Sequence, residues 1–312
     1  MSTISFQNSE PENLDGLIAR SGIDPGHHAT MENIERKVIG LVRTILGTEE
    51  VYSIGSSQSK TYLPTSYGIA EDIDLYILGD HDLLESTITL GRERDSISQI
   101  VEKALGIPNL TVKLNSAEEN DAGGYRQAMI SIVEKHSGKS VLRIDLNYSQ
   151  KEDGALNYRK KFGEQVDSLV LGLSLEDKEA GREYILSQIR AMKRLMVDHH
   201  VYKPQEGGLR GMGVEQAILT LYSRHITGLE DLKEKFNVGE ALKRIHEHGK
   251  DYHLPHPLTG EQLTDKLWRK NEGVSGWEKL LELASMHLKF QYTGAKPESW
   301  SGGIQESLRL AA

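Results

Sequence analysis

The sequence contains no cysteine, which removes disulfides, thiolate metal sites and cysteine nucleophiles from consideration together. Nor does any run approach the roughly 18 consecutive apolar residues that a membrane-spanning helix needs, so no membrane partner is expected. The opening residues, MSTISFQNSEPENLDG, lack a basic start followed by an apolar stretch; no secretory signal is read there, and a cytoplasmic location is the expectation. Positive charge is scarce as well. Against 46 Asp and Glu stand 37 Lys and Arg, a formal net charge of −9, which argues against a broad, non-specific grip on nucleic acid, because that grip rests on counterion release by basic side chains. What basic clusters exist are local, at Arg159, Lys160 and Lys161 and at Arg190, Lys193 and Arg194.

What is present suits a globular chain of two ordinary domains: 312 residues, 38 % hydrophobic and 27 % charged, with no internal repeat. Residues 1–29 are polar and carry Pro11, Pro25 and several glycines, which predicts an irregular lead-in. From Thr30, a candidate N-cap, the apolar residues Met31, Ile34, Val38, Ile39, Val42, Ile45 and Leu46 recur at helical spacing up to Gly47. EVYSIGSS then reads as a strand entering a small-residue turn, and EDIDLYIL, NLTVKLN, YRQAMISIVE and KSVLRIDLNY as strands, with one or two helices in LLESTITLGRERDSISQIVEKAL. Beyond about residue 155 the period is helical almost throughout. The expectation is an α+β chain: a mixed-sheet domain over 30–154 followed by a mostly α-helical domain over 155–312.

The chemistry concentrates in IGSSQSKTYLPTSYGIAEDIDLYIL, residues 54–78. Asp72 and Asp74 stand two apart in an apolar strand, so both carboxylates project from one face. Two such charges repel unless a cation lies between them, and Mg²⁺ takes one or two carboxylates together with substrate phosphates. Asp145, between Ile144 and Leu146 in another apolar strand, is a third candidate ligand and permits two ions, which at roughly 3.5–4 Å apart serve in-line displacement at phosphorus. Upstream, Gly55 and Ser56 offer a turn whose backbone can approach a phosphate.

Gly55-Ser56, the Asp72-Ile-Asp74 strand and the later Asp145 resemble the nucleotidyltransferase superfamily that includes DNA polymerase beta. ILSQIRAMKRLMVDHHVYKPQEGGLRGMGVEQAIL and ALNYRKKFGEQV are similar to segments of the archaeal-type, class I CCA-adding enzymes, and HPLTGEQLTDKLWRKNEGVSGWEKLLELA to a stretch closing their helical domain. The resemblance implies a nucleotidyltransferase domain followed by a helical one, without that family's C-terminal body and tail domains. It implies that Asp72, Asp74 and Asp145 bind two Mg²⁺ ions and that Gly55 and Ser56 contact the triphosphate. Lys193 and Tyr202 match positions that contact the nucleotide's phosphates, Lys160 falls near a histidine of similar role, and Lys60 stands in for an arginine that follows the Gly-Ser pair. The spacer of 15 residues between Ser56 and Asp72 is longer than in that family. The implied activity is template-independent transfer of a nucleoside monophosphate from ATP or another nucleoside triphosphate to an RNA acceptor, in particular a tRNA 3′ end. The same residues fit synthesis of short or cyclic oligonucleotides, or a nucleotidyltransferase toxin. His246, His248, His253 and His256 cluster in eleven residues, without cysteine or a regular ligand spacing, and read as solvent-exposed.

Overall fold

Alternation of side chains decides which way the strands face. The structure is a computed structural model that describes residues 14–115, 118–120, 125–149, 154–198, 211–220, 226–248, 254–255, 257–258, 260 and 280–285. Along it run α1 (Leu14–Ser21), α2 (Pro25–Leu46), β1 (Val51–Ile54), α3 (Gly55–Gln58), β2 (Asp72–Leu78), α4 (Leu83–Arg92), α5 (Arg94–Leu105), β3 (Leu110–Leu114), β4 (Glu118–Asn120), β5 (Tyr125–Glu134) and β6 (Ser140–Ser149). Helices α6 (Gly154–Leu169), α7 (Leu175–Asp198), α8 (Gly211–Leu219), α9 (Leu229–Lys235) and α10 (Val238–His248) follow. This is the expected α+β architecture.

The sheet is mixed and six-stranded, in the order β1-β2-β6-β5-β3, with β4 on β5. Strands β2 and β6 run parallel and the other pairings are antiparallel. Ile73, Leu75 and Ile77 of β2 and Leu142, Ile144, Leu146 and Tyr148 of β6 enter one buried cluster with Met31, Ile34, Val38 and Val42 of α2 and Ile97 and Val101 of α5. Because the strand period is two, Asp72, Asp74, Arg143 and Asp145 must occupy the opposite face. A second cluster gathers Phe162, Val166, Ile185, Ile189, Met192, Met196, Val214, Ile218, Phe236, Leu242 and Ile245 from the later helices. Among the described residues no helix is long and apolar enough to cross a membrane.

Two expectations give way at the N-terminus. The lead-in is not irregular throughout: Leu14–Ser21 is helical, and its Leu17 lies in the helical cluster rather than the sheet cluster. Leu14, Leu17 and Ile18 do hold helical spacing, but eight residues with an internal Gly16 give a signal too short to read. The second helix also starts six residues early, at Pro25, capped by Asp24 rather than Thr30; the Asp24 carboxylate accepts from the Gly26 and His27 amides. Thr30 is an interior residue whose hydroxyl donates back to the Gly26 carbonyl at 2.9 Å. Gly47 closes the helix as expected, with φ of 64°.

Candidate functional site

Parallel pairing of β2 with β6 sets Asp74 beside Asp145 and Asp72 beside Arg143. Three of the sequence-selected acids thus share one patch of one sheet face. Arg143 joins them: its Nη2 donates to Asp72 Oδ2 at 2.7 Å and its Nε to Asp145 Oδ1 at 3.1 Å. Three carboxylates therefore face one guanidinium. Burial, then the charges of Asp72 and Asp145, push the Asp74 carboxyl up to about 7. Burial raises Asp145 as well, against the opposing pull of Arg143. Although burial works against its charge, Arg143 is held above its ordinary value by Asp145 and Asp72.

Gly55 is shaped by this patch. It has φ of 74°, and a Cβ placed on it would lie 2.0 Å from Asp74 Oδ2. Only glycine admits both the left-handed backbone and the carboxylate pressed against it. Ser56 sits in the same single-turn helix, where its carbonyl accepts from the Thr61 amide at 3.0 Å. Underneath, Glu35 of α2 accepts from the hydroxyls of Ser53 and, at 3.0 Å, Ser57, and so fixes the turn to the sheet's helical layer. Lys160 is exposed on α6 and lines, with Arg159, Leu156, Gly163, Glu164, Asp167 and the turn residue Gln58, an open depression of about 440 Å³. That brings the Lys160 face of α6 to the turn.

Two other candidate cations lie elsewhere. Lys60, itself at φ 59°, aims its ammonium at Glu32 of α2, 3.6 Å away. Lys193 is buried: it donates to Thr61 Oγ1 at 2.8 Å and Glu215 Oε1 at 2.9 Å, and both members of the Lys193–Glu215 pair have side chains only 6 % exposed. The Thr61 hydroxyl donates to Glu215 Oε1 at 2.7 Å and the Tyr158 hydroxyl to Oε2 at 2.6 Å; burial, and then Glu215, raise the Tyr158 phenol well above its ordinary range. Tyr202, His253 and His256 lie outside the described residues. His246 and His248 are exposed, as expected. Sequence reasoning passed over Arg143, Glu35, Thr61, Tyr158 and Glu215. Of these Arg143 had a signal, since two residues before Asp145 in a strand means the same face.

As they stand, no three acidic or imidazole groups among the described residues converge on one point as a ready metal site; Arg143 spans two of the acids instead. The donor set nevertheless fits a hard divalent cation. It offers oxygen ligands in carboxylate excess, and burial and the neighbouring Asp72 and Asp145 charges disfavour the ionised Asp74 that a cation would favour.

No family model matches the chain, and no curated protein sequence matches it. Among solved structures the chain is similar to the STING-associated CdnE c-di-GMP synthase from Capnocytophaga granulosa, at 15 % identity over 91 % of this chain and 88 % of that one, with a TM-score of 0.47. It is likewise similar to the CD-NTase CdnG from Bradyrhizobium diazoefficiens in complex with GTP, at 15 % identity over 96 % and 94 % of the two chains and a TM-score of 0.47. A cytoplasmic RNA terminal U-transferase shares 12 % identity over 91 % of this chain and 72 % of its own, with a TM-score of 0.41.

Proposed function

We propose that this protein transfers a nucleoside monophosphate from a nucleoside triphosphate to an acceptor hydroxyl, releasing pyrophosphate. One observation carries the reading: Asp72, Asp74 and Asp145 share a face of two parallel neighbours, against a glycine turn, with more negative charge than Arg143 balances. Asp72, Asp74 and Asp145 would hold two Mg²⁺ ions, which when bound neutralise phosphate charge and favour the attacking oxygen. Gly55 and Ser56 would receive the triphosphate, and Lys160 with Arg159 would meet its outer oxygens or the acceptor from α6. The acceptor oxygen bonds to the α-phosphorus as the bond to pyrophosphate breaks, and the acceptor's proton passes to the Asp145 carboxylate. Positioning and charge neutralisation supply most of the rate in such a displacement.

For the acceptor, the net charge of −9 favours a second nucleotide, giving a short or cyclic oligonucleotide, since no extensive basic surface is then required. The second reading is an RNA 3′ end, including tRNA; the exposed Lys160 beside Arg159 at the turn favours it. Incubation with Mg²⁺ and each α-³²P-labelled nucleoside triphosphate, with and without total tRNA, separates the two. Label in small products without RNA establishes the first, and label in tRNA the second. In Asp72→Ala/Asp74→Ala protein either signal should fall on the order of 10³-fold or more, the scale of losing transition-state charge stabilisation. Absence of incorporation by the unaltered protein under every condition would sink the proposal.

A further inference from the structure

Helix α7 carries two buried cations that reach two adjacent residues of the other half of the molecule, Arg190 to Lys60 and Lys193 to Thr61. Arg190 is 1 % exposed. Its Nη1 donates to the Lys60 carbonyl at 2.8 Å and its Nε to the Ser21 carbonyl at 3.1 Å, while Nη2 donates to Glu183. One turn on, at the i+3 position that shares its face, Lys193 holds the Thr61 hydroxyl, with Glu215 of α8 and Tyr158 of α6 completing the cluster. Lys60 is a non-glycine residue at φ 59°, a backbone state that persists only where the surroundings over-determine it. The Arg190 guanidinium on its carbonyl does so.

Residues 60 and 61 are also the far end of the Gly55 turn. The Thr61 amide donates to the Ser56 carbonyl at 3.0 Å, the Lys60 amide to the Ser57 carbonyl at 3.3 Å, and the Ser59 hydroxyl lies 2.8 Å from the Thr61 hydroxyl. A continuous relay of contacts therefore runs from Lys193 through Thr61 to Ser56, and from the adjoining Gly55 to Asp74.

We propose that Lys193 and Arg190 are positioning residues that dock the Gly55–Thr61 turn onto the helical half and thereby set where Asp74 and the turn stand, and that Lys193 is not a phosphate ligand. The inference rests on the nucleotidyl-transfer reading for its kinetic arm. The chemistry supports it on two counts. A lysine whose donors already serve a carboxylate and a hydroxyl in a site shut off from water has little to offer a triphosphate. Its charge, matched by Glu215, also adds no net positive charge to the site.

The test uses the full chain and two variants. Thr61→Val keeps the shape and deletes the hydroxyl; Lys193→Met with Glu215→Leu replaces the ion pair by apolar groups of similar volume. Both should lower kcat at least tenfold while KM for the nucleoside triphosphate stays within threefold. In both, amide hydrogen exchange at Gly55–Thr61 should quicken at least tenfold, while the sheet cluster exchanges as before. A tenfold or greater rise in KM confined to the Lys193 variant, with Thr61→Val unaltered, would make Lys193 a phosphate ligand and overturn the proposal. Unchanged exchange and kcat in Thr61→Val would overturn it too. If the unaltered protein transfers no nucleotide at all, the functional reading fails, and the exchange measurement alone decides whether the turn is docked in this way.

Discussion

Two polar clusters lie on either side of the Gly55 turn, and they are built on opposite principles. Around Glu215, every group has its partner: Lys193 and Thr61 share one carboxylate oxygen and Tyr158 takes the other. On the sheet face, Asp72, Asp74 and Asp145 divide a single arginine, and Asp74 is pushed up to about 7. A satisfied buried network stabilises one arrangement of the halves. An unsatisfied acidic patch is costly without a counterion and becomes favourable with one. The difference is one of charge balance: the first cluster is closed on itself, and the second carries more negative charge than its arginine offsets.

The contrast should break first at Glu215. Glu215→Ala strands the Lys193 ammonium in a buried site and should cost roughly 3–5 kcal/mol of stability, measured by chemical denaturation; a loss comparable to that of an exposed pair would remove the distinction. Asp74→Asn should act in the opposite direction. The folded Asp74 carboxyl keeps its proton up to about 7 whereas the unfolded one releases it near 3.8. The folded state thus binds more protons between those values, and stability falls as pH rises from about 4 to about 7. Asn removes that slope and should stabilise the metal-free protein at pH 8 on the order of 3 kcal/mol. Saturating Mg²⁺ should shrink the gain. A melting profile from pH 4 to 8 that is identical in both proteins would refute the charge imbalance. Gly55→Ala should be the smallest of the three, about 1–3 kcal/mol for forcing a side chain into the left-handed region. It should reduce transfer more than it reduces stability, because the new methyl displaces Asp74. Equal effects on both would mean the turn has no particular bearing on the acids.

The acid patch was legible because strand periodicity is a local rule: Asp72, Asp74 and Asp145 each interrupt an apolar run, and the alternation alone puts the first two on one face. Register was not legible, so nothing in the sequence placed Asp145 beside Asp74 or Arg143 beside Asp72. The second cluster was still less accessible. Thr61 lies 132 residues from Lys193 and 154 from Glu215, and contacts over such separations leave no period. Nothing local therefore marked Lys193 as buried, and its neighbours on α8 and the 59–61 loop bury it. The long helices were readable from their apolar stripes, whereas α1 and the three-residue β4, polar in every position, were too short to carry a pattern.

The path of the first helix has a consequence for how such a chain can be divided. Leu17 belongs to the helical core, the Ser21 carbonyl is tied to Arg190, and Arg20 reaches Asp198 at 3.3 Å, yet the next helix lies under the sheet. The polypeptide visits the helical half, crosses to build the sheet, and returns. A single cut near residue 150 would not leave the C-terminal half intact: that fragment would lose a piece of its own core, and Arg190 would lose two of its acceptors, the Ser21 and Lys60 carbonyls. Exchange of halves between related genes by one crossover would carry the same defect, so the two are expected to be inherited, and to change, together.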